Sequence, residues 1–157
     1  METKILQWIQ FIQQPQSIGT FPICPYAAKA MLENNVEIQE LFDINTVESV
    51  IESIDLSEKD VTILYFVEYL DYDVEYLQNY IIRLNAQFNI KDKVVLENDP
   101  RVPFIINDVT TTFPDCYLIL IQGLKHLNEK SKLLQSTGYY NYWTRQQLNE
   151  VVTWRTQ

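Results

Sequence analysis

The residues best suited to chemistry gather around Cys24, in the stretch Phe21 to Leu32, FPICPYAAKAML. Pro25 pushes the residue before it out of the α region and itself suits the first position of a helix. The spacing therefore predicts a helix from Pro25 to about Asn34, with Cys24 as its N-cap. A sulfur so placed faces the free N–H groups of Ala27 and Ala28 and the positive end of the helix dipole, which lower a thiol pKa. Lys29, one turn along, is the near neighbour able to stabilise a thiolate. Small side chains at Ala27, Ala28 and Ala30 leave room for a ligand or another chain. Cys24 thus reads as a lone nucleophile, a redox thiol or a ligand-facing cap. The competing reading is an inert packed thiol, because free cysteines are among the most buried residue types.

Other reactive types are sparse. Cys116 lies beside an apolar strand and reads as core. His126, the single histidine, sits among Lys125, Asn128 and Glu129 and reads as solvated. Glu68, Asp71, Asp73 and Glu75 could hold a hard cation through oxygen ligands. They equally suit a helix start, with Asp as cap and Glu in the first turn, and no metal site is assigned. The tract Gly138 to Thr144, GYYNYWT, reads as rings covering the end of a core, with a partner surface as the alternative. Three glycines rule against a phosphate-cradling loop, and neither a serine-nucleophile elbow nor zinc spacing is present. No cofactor is expected.

The elements that must position these groups follow from periodicity and punctuation. Ile5, Trp8, Ile9 and Ile12 mark a helix over residues 3–14. Val36 to Phe42 reads as a strand. Asn45 with Glu48 resembles a capping box opening a helix with Val47, Val50, Ile51 and Ile54 inward. Val61 to Tyr69, apolar on both faces, reads as a central strand covered on both sides. Val74, Leu77, Ile81, Leu84 and Phe88 mark a long helix, and Lys93 to Glu97 a short strand. Within the proline-rich stretch 98–115, VPFII is an extended candidate. Tyr117 to Ile121 is a second apolar strand, followed by a helix with Leu124, Leu127 and Leu134 inward and Gly138 at its C′ position. Thr144 and Gln147 cap a terminal helix. The reading is one α/β (α+β) domain over residues 1–157. It has two or three layers and a mixed sheet of about four strands covered by helices, with strand order open between thioredoxin-like and ferredoxin-like arrangements.

Composition narrows the function classes. A net charge of −9 argues against a large nucleic-acid surface and against adhesion to an anionic membrane. Apolar runs such as Ile63 to Val67 are too short to span a bilayer. No secretory signal is visible in METKILQWIQ, and two cysteines suit a reducing cytoplasm. A small molecule or a protein remains as the partner class, with no oligomeric state indicated.

Two resemblances meet at Cys24. Trp8, Gly19 and Cys24-Pro25-Tyr26-Ala27, then TILYFVEYLDYDVEYLQNYI and FPDCYLILIQ, resemble the uncharacterised bacterial family Domain of Unknown Function 1415, with its N-terminal tryptophan helix and CPFA-type motif. The likeness spans residues 5 to about 123. That family's histidine-proline pair is here Asp99-Pro100, and its arginine before the last strand falls at Thr110 to Thr112. The resemblance implies a fold and a site region, and no activity. CPYAAKAMLENNVEIQELFD is similar to the CPYC helix and following strand of glutaredoxins, with Ala27 in place of the resolving cysteine. Arg101 to Ile106 is similar to their cis-proline segment, at Pro103. Together these imply a ligand or thiol site of Cys24, Pro25, Tyr26, Ala27, Lys29, Asp99 and Pro103, with Cys24 as the catalytic candidate. The alternative is a non-catalytic interaction protein with an aromatic or acidic contact surface.

Overall fold

The computed structural model describes residues 1–15, 17–68 and 71–157. Its order is α1 (Glu2–Ile12), α2 (Ala27–Leu32), β1 (Val36–Glu40), α3 (Val47–Ser53), β2 (Val61–Phe66), α4 (Val74–Phe88), β3 (Lys93–Asn98), β4 (Ile105–Ile106), β5 (Val109–Thr110), β6 (Tyr117–Gly123), α5 (Leu124–Gln135) and α6 (Arg145–Val151). β1, β2, β6 and β3 form one mixed sheet in that spatial order, flanked by helices. β1 runs parallel to β2, and β6 runs antiparallel to both of its neighbours.

The two runs that are apolar on both faces take the centre. Leu64 and Phe66 of β2, with Ile119 and Ile121 of β6, meet Leu77, Leu84 and Phe88 of α4 on one face. Ile63 and Tyr65, with Leu118, meet Ile5 and Ile9 of α1 on the other. Burying each such side chain fully contributes about 1.5–3 kcal/mol, so a strand with two covered faces belongs inside the sheet. The crossover helices α3 and α4 lie on the same face. β3 therefore lands beyond β2 in the same direction, and β6 fills the slot between them from the opposite direction.

The outer edge of β3 is closed by α4. Asn85 Nδ2 donates to Val95 O (2.7 Å), and Val95 N–H donates to Asn85 Oδ1 (2.8 Å), all of it buried. With its amide nitrogen turned toward these acceptors, Asn89 donates to Lys93 O (3.0 Å).

Local signals held at several termini and failed at others. Asp73 caps α4 through Tyr76 N–H (2.6 Å), and the Thr144–Gln147 capping box opens α6. Asn45 and Glu48 do not form a capping box. Asp43 instead accepts from Asn45 N–H (2.9 Å) and starts a 3-10 turn, Ile44–Thr46, that leads into α3. β2 ends at Phe66, and the expected end at Tyr69 lies outside the described residues. Gly138 is left-handed (φ 84°) but lies past the expected C′ position, heading the 3-10 turn Tyr139–Tyr142. The buried residue of α5 is Ser131, which accepts from Arg155 Nη2 (3.2 Å), while Leu124, Leu127 and Leu134 are half-buried. Of the VPFII stretch, Ile105 and Ile106 are extended and pair with Val109 and Thr110. Asn107 (φ 49°) and Asp108 (φ 64°) make the two-residue turn that this hairpin geometry favours. Among the described residues, no helix is long and apolar enough to cross a membrane.

Candidate functional site

The chain around Cys24 departs from its expected geometry. The helix starts at Ala27, with Tyr26 rather than Cys24 at its cap. Pro25 and Tyr26 instead form a turn, closed by Ala27 N–H donating to Cys24 O (3.2 Å). Cys24 is half-buried and packs against the core cluster that contains Ile5, Ile9 and Ala27. That burial pushes the pKa above the ordinary cysteine value. Hydrogen bonds from Tyr26 and Ala27 N–H and the nearby charge of Lys130 act in the opposite sense without offsetting it. The direction is opposite to that expected of a thiol capping a helix. Lys29 points elsewhere, to Glu33 (3.8 Å), with its side chain largely exposed. The cation near the sulfur is Lys130 of α5, which lies over the Tyr26 ring (5.0 Å) and whose backbone O accepts from Tyr26 Oη (3.3 Å). Ordinary sequence spacing could not reveal that cation, because about a hundred residues separate it from Cys24. Cys116 is buried, and burial raises its thiol to about 11.

Asp99 and Pro103 lie in the loop after β3, with no hydrogen bond or ion pair to Cys24. Asp99 is buried and accepts from Arg101 Nε (2.9 Å), Arg101 Nη2 (2.7 Å) and Arg101 N–H (2.9 Å). Burial alone would raise its pKa, but these bonds and the guanidinium charge hold it below the usual carboxylate value. Arg101 Nη1 also donates to Tyr72 O (2.8 Å), fastening the loop to the start of α4. Beside it, Tyr117 Oη donates to Glu97 Oε2 (2.8 Å). Burial, the larger cause, pushes Glu97 up, and Asp99 adds to it. Pro103 is exposed, and its preceding peptide bond is trans.

The tract Tyr139 to Trp143 covers a satellite core of Ile18, Ile23 and Ile106. Tyr139 is buried, meets Phe21 edge-on (5.6 Å) and donates to Ile23 O, while Trp143 meets Phe104 (5.5 Å). Gly19 (φ 57°) lies so close to the Tyr142 hydroxyl that a Cβ there would overlap the ring. These rings are largely spent on packing.

The open surface lies elsewhere, where β1 and β2 end. Phe42, Asp43, Phe66, Glu68, Asp71 and Tyr72 line a cleft of about 180 Å³. Phe42 is 81% exposed, and Tyr72 stacks on Tyr76 with ring centroids 4.8 Å apart. Among the described residues, Asp43, Glu68 and Asp71 have no basic partner. Nor do any three acidic, cysteine or histidine side chains converge as a metal site would require. At the opposite end of the sheet, a cleft of about 310 Å³ is lined by Asp60 and His126, among others. There Asp60 lies 3.1 Å from His126 Nε2 and is ion-paired with Lys130 (3.7 Å). The acidic cluster was legible as residues, but its union with Phe42 was not, because β1 and β2 meet only in the folded sheet. No family model, curated protein or solved structure matches this chain.

Proposed function

We propose that this is a non-catalytic interaction protein whose contact surface is the acidic, aromatic-lined cleft at the ends of β1 and β2, and whose partner is a basic segment of another protein. One observation carries this reading: an exposed Phe42 ring shares a cleft with three carboxylates that have no basic partner among the described residues. Small-molecule sites commonly enclose about 300–1,000 Å³. A cleft of about 180 Å³ suits one or two inserted side chains instead. A lysine or arginine entering it would meet both carboxylates and aromatic faces, a combination that attracts cations. The net charge of −9 favours approach of a basic partner over long range. The thiol reading is carried less far, because burial raises the Cys24 pKa rather than lowering it and Lys29 is turned away toward Glu33.

Titration with a lysine-rich peptide at low salt, read by fluorescence anisotropy, tests this. Neutralising the cleft with Asp43→Asn, Glu68→Gln and Asp71→Asn together is expected to weaken binding by about tenfold or more. Raising the salt concentration should weaken the unaltered protein's binding in the same direction. Equal binding of a glutamate-rich peptide, or undiminished binding after neutralisation, would overturn the reading.

A further inference from the structure

The two edges of the sheet are finished differently. On β3, Asn85 satisfies both outward backbone groups of Val95. On β1, Leu41 N–H donates to Tyr65 O (2.9 Å), which sets the phase of the parallel ladder. Glu37 and Gln39 then turn their backbone groups toward β2, while Val36, Ile38 and Glu40 turn theirs away. Among the described residues, no hydrogen bond from outside the ladder closes the N–H or C=O of these three residues. Glu37, Gln39 and Glu40 are also exposed. β1 is thus an open edge of the kind that accepts an added strand.

The side chains along this edge select among occupants. Glu37 and Glu40 have no ion pair among the described residues, and Asp43 follows where the strand enters the cleft. A second copy paired edge to edge would set these carboxylates against their own kind, and like charges facing across a ladder are destabilising. An extended segment with alternating basic side chains meets the reverse situation. Beyond Glu40 the chain leads directly into Leu41, Phe42 and Asp43 of the cleft, so edge and cleft form one continuous surface.

We propose that β1 takes up an extended basic segment of a partner protein as a fifth strand of the sheet, its backbone bonded to Val36, Ile38 and Glu40. The inference rests on the proposed function for the basic character of the partner, and adds to it the backbone pairing.

The probe is a capped peptide of alternating lysine and valine, with two controls: the same peptide N-methylated on alternate residues, and its glutamate–valine counterpart. Amide exchange is followed residue by residue by NMR. On adding the lysine peptide, exchange at Val36, Ile38 and Glu40 is expected to slow by about tenfold or more. Glu37 and Gln39, already bonded to β2, should change less. N-methylation that blocks the paired edge should weaken binding by about tenfold. A Glu37→Lys, Glu40→Lys double variant, altered only at exposed positions, should favour the glutamate peptide instead. Binding without protection at the three amides, or binding indifferent to N-methylation, overturns the strand pairing and leaves the cleft reading standing. No binding of any lysine peptide overturns both.

Discussion

The β3 side and the β1 side of the sheet both carry polar groups at their margins, and they treat them in opposite ways. On the β3 side Asn85 closes Val95, Tyr117 holds Glu97, and Arg101 holds Asp99, each pair buried or half-buried. On the β1 side Glu37, Glu40, Asp43, Glu68 and Asp71 face outward without basic partners among the described residues. A buried polar group left unpaired costs far more than an exposed one, which water satisfies. Polar groups on the first side are therefore answerable to folding, and those on the second are free to answer to a partner.

The sharpest test of this contrast is Asn85→Ala. It removes the two buried hydrogen bonds to Val95, and a third from Asn85 Nδ2 to Ile81 O (3.2 Å), and leaves the N–H and C=O of Val95 enclosed without partners. Stability should fall by about 2–4 kcal/mol, measured by urea unfolding. Converting Glu37 and Glu40 to Gln should leave stability nearly unchanged. A comparable loss from both changes would break the contrast.

Next in size are the buried Asp99 and the half-buried Glu97, which should bend the pH profile in opposite directions. The Asp99 pKa is held below its ordinary 3.8, so the folded protein releases this proton more readily than the unfolded chain. Its stabilising contribution is present above pH 3.8 and is lost as pH falls through the folded-state value. The Glu97 pKa is raised above its ordinary 4.5, so the folded protein keeps that proton longer. Stability is then lost as pH rises from 4.5 through the raised value. Asp99→Asn should accordingly lower Tm at neutral pH, with the deficit shrinking in acid. Glu97→Gln, whose amide oxygen can still accept from Tyr117, should raise Tm at neutral pH and lose that advantage below pH 4.5. Scanning calorimetry across this range checks both signs.

How far the sequence announced these arrangements depended on how local each one is. Asp73 and the Thr144–Gln147 pair were legible because a cap and its target lie three residues apart. The central position of β2 was legible because burial on two faces demands a nearly unbroken apolar run, and β6 was legible as a second such strand with its place in the sheet left open. The helix after Cys24 was misplaced because Pro25 is equally at home in the turn that precedes Ala27. Asn45 did not cap because its own N–H and its Nδ2 both donate to the Asp43 carboxylate, which occupies the side chain that the capping box required. Asn85 carried an overlooked signal, a polar residue on the apolar stripe of α4 beside Leu84 and Phe88, where a partner must exist. Nothing local could join Phe42 to Glu68 or Lys130 to Cys24, since only the assembled sheet and the packing of α5 bring those residues together.

The smallest expected effect on stability is the most telling for function. Phe42 leaves 81% of its surface in water, an unusual place for a large ring unless it serves a contact. A side chain this exposed contributes little to the core, so Phe42→Ala should change folding stability by no more than about 0.5 kcal/mol. Aromatic anchors nevertheless dominate many interfaces, because a partner buries the surface that folding left open. The same variant should weaken lysine-peptide binding by about tenfold, with the carboxylates of the cleft untouched. Urea unfolding and anisotropy titration on one preparation separate the two quantities. A loss of stability rivalling that of Asn85→Ala would mean that the ring belongs to the fold, and the β1 side would then be built like the β3 side after all.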